Sequence, residues 1–211
     1  IQGLHAYLSG EPSNRKARRK NYLENLEAIV HEFPDDVEAK AFLVVRLWQF
    51  NRDLPIVSPV AVNALLQQVL AANPRHPIHH YRIHLWDRVK PEEALASAAL
   101  CGQASPGIAH MWHMPGHIFS RLERYQDAVW QQEASARVDH AHMMRDGVLP
   151  DQIHNYAHNN EWLLRNLNHV GRVHAALSLA KNMLEVPRHP TYNTLDKRGT
   201  SASYGRARLL Q

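Results

Sequence analysis

Apolar residues recur at three- and four-residue spacing along almost the whole chain, which restricts the fold more than any other feature. NYLENLEAIVHEF, AVNALLQQVLAAN, YQDAVWQQEASARV and RVHAALSLAKNMLEV all show this spacing, and no stretch alternates like a half-buried strand. Proline punctuates the pattern. Pro34, Pro55, Pro74, Pro91, Pro106, Pro150 and Pro187 fall between the runs, where a missing N–H breaks no helix bond. The expectation is an all-α chain of short helices. A content of 45% hydrophobic and 21% charged residues over 211 positions supplies a core and excludes disorder.

Short helices bury their apolar faces only by stacking on neighbours, so an internal repeat is the natural organisation. With Trp112 at position 4 of the 34-residue pattern W-x2-L-G-x2-Y, A-x3-F, P, Gly116 falls at position 8, Phe119 at 11 and Ala128 at 20. Pro115 and Gln132 depart from it, standing where leucine and an aromatic are expected. One period earlier Ala94 takes position 20 and Pro106 closes the unit, and a later unit has Ala176 and Pro187. The predicted units are 3–36, 37–74, 75–108, 109–142 and 157–190. The interval 143–156, MMRDGVLPDQIHNY, reads as a loop inserted over one face.

On these residues the chain resembles the tetratricopeptide-repeat family over nearly its whole length. The resemblance implies an α-solenoid of stacked helix-turn-helix hairpins, in which the first helix of each hairpin lines a concave groove that grips peptides or partner proteins. The start at Ile1 without Met, and SASYGRARLLQ reading as a helix just beginning, fit a processed protein or a piece of a longer one.

Sixteen histidines dominate the titratable character. Eight of them fall in HPIHHYRIH, HMWHMPGH and HNN, and the family's groove positions 2, 5, 9 and 13 collect most of these. Position 2 holds His76, His110 and His158. Position 5 holds His79, His113 and Glu161; position 9 holds Ile83, His117 and Arg165; position 13 holds Asp87, Arg121 and His169. His110, His113 and His117 share one stripe of a helix, and His80 and His84 lie one turn apart. Imidazoles so spaced can share a transition metal such as zinc, copper or iron, with Glu161 or Asp87 as the available carboxylates. Pro115 reads either as a kink within a helix or, the favoured reading, as a first-turn residue of a helix starting near Met114, which would leave His110 and His113 outside it. The remaining histidines, among them His5, His31, His140, His142, His174 and His189, read as ordinary surface or core residues.

HYRIH, then HMPGHIF with RLERYQDA, then His158-Asn159, is similar to a group of bacterial tetratricopeptide proteins carrying these three motifs in order. That likeness implies His80, His84, His113, His117 and His158 as the functional set, without naming an activity. Glu161 stands where the group would have a further histidine. The expected groove lining is His76, His79, His110, Trp112, Glu161, Trp162 and Arg165.

Other signals are weaker. A formal charge of +4 gives no reason to expect nucleic acid, and no run of residues is apolar enough to span a membrane. Compartment, oligomeric state and catalysis stay open, and an enzyme here would be a three-histidine or histidine–carboxylate centre with a water position. Cys101 reads as a small buried residue. RKARRK reads as the solvated face of a helix, and DGVLPD lacks the acidic spacing of a calcium loop. Met111, Met114, Met143 and Met144 would suit copper(I) but more commonly pack a core. The competing class is a scaffold for an extended peptide, anchored by Trp112, Trp162 and Arg165.

Overall fold

In the computed structural model, residues 2–9, 14–191 and 197–209 are described, so the last two residues of SASYGRARLLQ lie outside them. The chain divides into two compact units, Ile1–Arg88 and Val89–Gln211. Among the described residues all regular structure is helical, and within each unit helices pack in sequence on their neighbours as in an α-solenoid.

Unit 1 contains α1 (Gln2–Ser9), α2 (Arg15–Glu32), α3 (Val37–Phe50), α4 (Pro59–Ala72) and α5 (His79–Trp86). Asp36 and Ser58 start α3 and α4 by accepting hydrogen bonds from the N–H groups of Ala39 and Ala61, and Pro59 takes the first helical position. Tyr22, Leu23, Leu26, Leu43 and Phe50 form the core. The basic run is less solvated than expected. Arg19 is half-buried, bonded to Asp53 and laid over the Phe50 ring, while Arg18 donates to the Tyr7 carbonyl. A long side chain can bury its stem and still satisfy its head on a nearby acceptor, so half of RKARRK pins down local structure.

Unit 2 contains α6 (Leu95–Ala104), α7 (Ala109–Arg121), α8 (Tyr125–Asp146), α9 (His154–His169), α10 (Val173–Glu185) and α11 (Ser201–Leu209), with 3₁₀ turns at Pro91–Ala94 and Pro150–Gln152. Val129, Leu163, Leu164, Leu167, Ala176, Ala180 and Met183 make its main core. The alanines at position 20, Ala94, Ala128 and Ala176, are all buried. α7 and α9 end in the same way: the N–H of Arg124 bonds the Phe119 carbonyl and that of Glu123 the Ser120 carbonyl, and Arg172 and Gly171 bond Leu167 and Asn168 alike. Gly171 suits the left-handed position this turn demands, whereas Glu123 adopts it at φ 57°.

Two local expectations change. The stretch 143–156 lies outside α-helix only over 147–153, which includes the Pro150–Gln152 3₁₀ turn, because α8 continues to a left-handed Gly147 cap and α9 begins at His154. Pro115 lies inside α7 and is buried, so His110, His113 and His117 all stand on one helix. The helix tolerates it within a tightly packed hairpin.

Candidate metal centre

α7 and α9 carry the site. At about 100° per residue, His110, His113 and His117 share one face of α7, and His154, His158, Trp162, Arg165 and His169 share one face of α9. Trp112 points elsewhere, against α6 and the Trp130 ring, where its indole donates to the Pro106 carbonyl. A Cβ on Gly102 would lie 2.3 Å from that indole, so glycine is what lets α6 approach α7 here.

His113 is the centre of the arrangement and is fully buried. Its Nδ1 lies 2.8 Å from Gln132 Oε1 on α8 and 3.0 Å from Asn159 Oδ1 on α9. Both amides are held in orientation by their nitrogens: Asn159 Nδ2 donates to the Gln132 carbonyl, and Gln132 Nε2 to the His113 carbonyl. Two acceptor oxygens facing one ring nitrogen require that nitrogen to carry the proton, which leaves Nε2 as a bare lone pair. That lone pair faces His117 Nε2 at 2.8 Å. Transfer of the His117 proton to its own Nδ1 turns two lone pairs toward one point. Gly116 makes the assembly fit, since a Cβ there would come within 2.1 Å of the Gln132 amide.

The His158 ring lies 4.8 Å from that of His113 and 6.0 Å from that of His117. His113, His117 and His158 each offer one nitrogen, and the three nitrogens lie within 4.8 Å of one another. Ligand nitrogens on a tetrahedral ion sit about 3.3 Å apart, given bonds of about 2.0 Å, so adjustments of an ångström or so in side-chain torsions close the set. Trp162 covers one side, its ring 4.2 Å from His117.

The electrostatics suit a cation. Burial, then the neighbouring His158, lowers the His113 pKa to about 3, although its bonds to Asn159 and Gln132 oppose the shift. Burial also lowers His158, helped by His154 and opposed by Glu161. These imidazoles are therefore neutral, as metal ligands must be.

His110 is half-buried beside this trio, its ring 5.5 Å from His113. Its Nδ1 lies 2.9 Å from Asn155 Oδ1, and Asn155 Nδ2 donates to Asp139, whose pKa burial raises. Glu161, expected as a carboxylate at the site, is buried and ion-paired with Arg208 of α11, outside the histidine trio. Met111, Met114 and Met143 are core residues and Met144 is exposed. Cys101 is buried, its thiol pushed up to about 12 by burial.

His80 and His84 belong to unit 1, with rings 4.7 Å apart and His84 packed 4.3 Å from Trp48. Asp87 caps the C-terminus of α5 in the same unit. His76 and His79, expected on an open groove, are buried: His76 accepts from the Ile78 N–H and meets Glu38, and His79 bonds the Pro74 carbonyl. Ile83 is a core residue. In unit 2, Gln132, Asn155 and Asp139 are hydrogen-bonding partners of the histidines that residue-type reasoning missed, and Asn159, quoted in the His-Asn motif, has no role in that reading. The departure of Gln132 from the repeat pattern and the place of Asn159 in the His-Asn motif were the visible signals.

No protein-family model matches this chain, and no curated protein does. The fold and site define the class on their own: an all-α, solenoid-like chain with a histidine trio, buried at His113 and half-buried at His117 and His158, able to hold a metal ion.

Proposed function

We propose that this chain is a metal-binding protein of tetratricopeptide type, in which His113, His117 and His158 ligate one transition-metal ion. The observation that carries the reading is the pair of amides on His113. A histidine kept only for packing needs one partner for its N–H, whereas Gln132 and Asn159 come from two further helices to fix one tautomer and direct Nε2 at His117. Three imidazoles without a carboxylate favour zinc, copper or iron over magnesium or calcium. Three protein ligands also leave a coordination position for water or a bound molecule, with the half-buried Trp162 beside it.

Zinc titration of the tag-free, metal-stripped protein by calorimetry tests this. The expected result is a tight equivalent that disappears in His113→Ala and His158→Ala and survives in His142→Ala, whose imidazole only pairs with Asp146 on an exposed face. Wild-type protein that takes up no tight zinc, copper or iron would overturn the reading.

A further inference from the structure

Continuing along α7 and α9 from His117, the same two helix faces lead into a small pocket. It has a volume of about 250 Å³ and is lined by Ser120, Arg121, Glu123, Tyr125, Trp162, Arg165 and His169. Trp162 belongs to both places: one contact is the His117 ring and the other is the Arg165 guanidinium, 4.7 Å from the ring centroid. Arg165 is half-buried, and among the described residues no carboxylate lies within ion-pair distance of it. Helix C-termini favour nearby cations in general, which accounts for Arg121 and His169 at the ends of α7 and α9. Arg165 stands a full turn inside α9, and its stacking on Trp162 orients the guanidinium plane without satisfying its five donors. Glu123 is the one carboxylate in the lining, set against two arginines and His169, whose ring stacks on Tyr125 at 4.2 Å. The Ser120 hydroxyl donates to Asn166 and presents its oxygen lone pairs and no further donor.

We infer that this pocket is an anion subsite of the metal groove, taking the carboxylate or phosphate of a small organic molecule whose other end reaches the ion beyond Trp162. The inference rests on the metal reading for the second half of that statement and on the pocket alone for the first. A planar guanidinium held on an aromatic face matches an oxyanion in two parallel hydrogen bonds, and the small volume fits such a group and excludes a peptide helix. Trp162 separates the two ends and supplies apolar contact to the part of the ligand between them.

The test uses inorganic phosphate as probe, added to the metal-free full chain at constant ionic strength, with the indole N–H signals followed by ¹⁵N NMR. Saturable movement of the Trp162 signal, weakened about tenfold or more in Arg165→Gln and less in Arg165→Lys, is the expected result. Movement confined to other tryptophans, no saturation, or equal affinity in Arg165→Gln would overturn the inference. The wild-type shift map locates the anion even if Arg165→Gln fails to fold. Zinc binding is measured separately on the same samples. Phosphate binding at Trp162 without zinc uptake would therefore strike the metal reading alone and leave the anion subsite standing.

Discussion

Both units concentrate histidines, yet they use them differently. In unit 1, His76 and His79 are buried and their ring nitrogens are spent on Glu38, Ile78 and the Pro74 carbonyl, while His80 and His84 join an aromatic stack with Tyr81 and Trp48. In unit 2, amide oxygens accept hydrogen bonds from the Nδ1–H groups of His113 and His110, and the lone pair left on His113 Nε2 points at another imidazole. The difference shows that histidine density alone carries little information. In unit 2 the partner of the Nδ1 nitrogen is an amide oxygen, of Gln132 or Asn159 on His113 and of Asn155 on His110, and on His113 this leaves Nε2 able to ligate.

The contrast gives its largest expected effect at His113. His113→Ala removes a central ligand and should abolish tight zinc binding, whereas His79→Ala should leave zinc uptake unchanged and lower stability by about 1–3 kcal/mol through an orphaned carbonyl and a cavity. Calorimetry and denaturant melts read the two separately, and a His79→Ala variant that lost the tight equivalent would erase the distinction between units. Next come the amides. Gln132→Ala and Asn159→Ala keep all three ligands but free the His113 ring, so zinc affinity should fall about 10- to 100-fold. Gly116→Ala should act in the same direction, because its methyl displaces the Gln132 amide, and a circular-dichroism spectrum like that of the parent would show that the helices persist.

A pH series sharpens the same comparison in metal-free protein. Burial holds His79 and His113 below the ordinary histidine value, His113 at about 3, so between there and about 6.5 the unfolded chain binds more protons than the folded one. Stability should therefore be full above about pH 7 and decline as pH falls toward 3, and saturating zinc should offset the fall until protons outcompete it. A melting temperature flat from pH 7 to pH 4 would contradict the burial of both rings. The smallest effect belongs to His142→Ala, an exposed pair with Asp146, whose melting temperature should match that of the parent.

Much of the helical architecture was legible in the sequence because periodicity and proline placement report local backbone physics directly. All the prolines named as breaks lie outside α-helices. Pro115 was misread because its cost in an isolated helix is large, while buried packing of α7 on its neighbours holds the helix through it. Residue type and helical spacing grouped His113 and His117 with His110, while His158 joined them only in the five-histidine set that the resemblance implied. The supporting amides did not follow, because nothing in a sequence says which of several asparagines and glutamines on three helices will face one ring nitrogen. Glu161 illustrates the opposite error: a carboxylate at a groove position, which folding commits to Arg208.

X-ray absorption at the zinc edge of the zinc-loaded, tag-free protein tests the central claim most directly. Three imidazole nitrogens at about 2.0 Å with one further light atom, reduced to two imidazoles or to lost zinc in His158→Ala, is the predicted result. A shell of oxygens alone, or the same spectrum after His113→Ala and His158→Ala, would show that the trio on α7 and α9 is not where the metal sits.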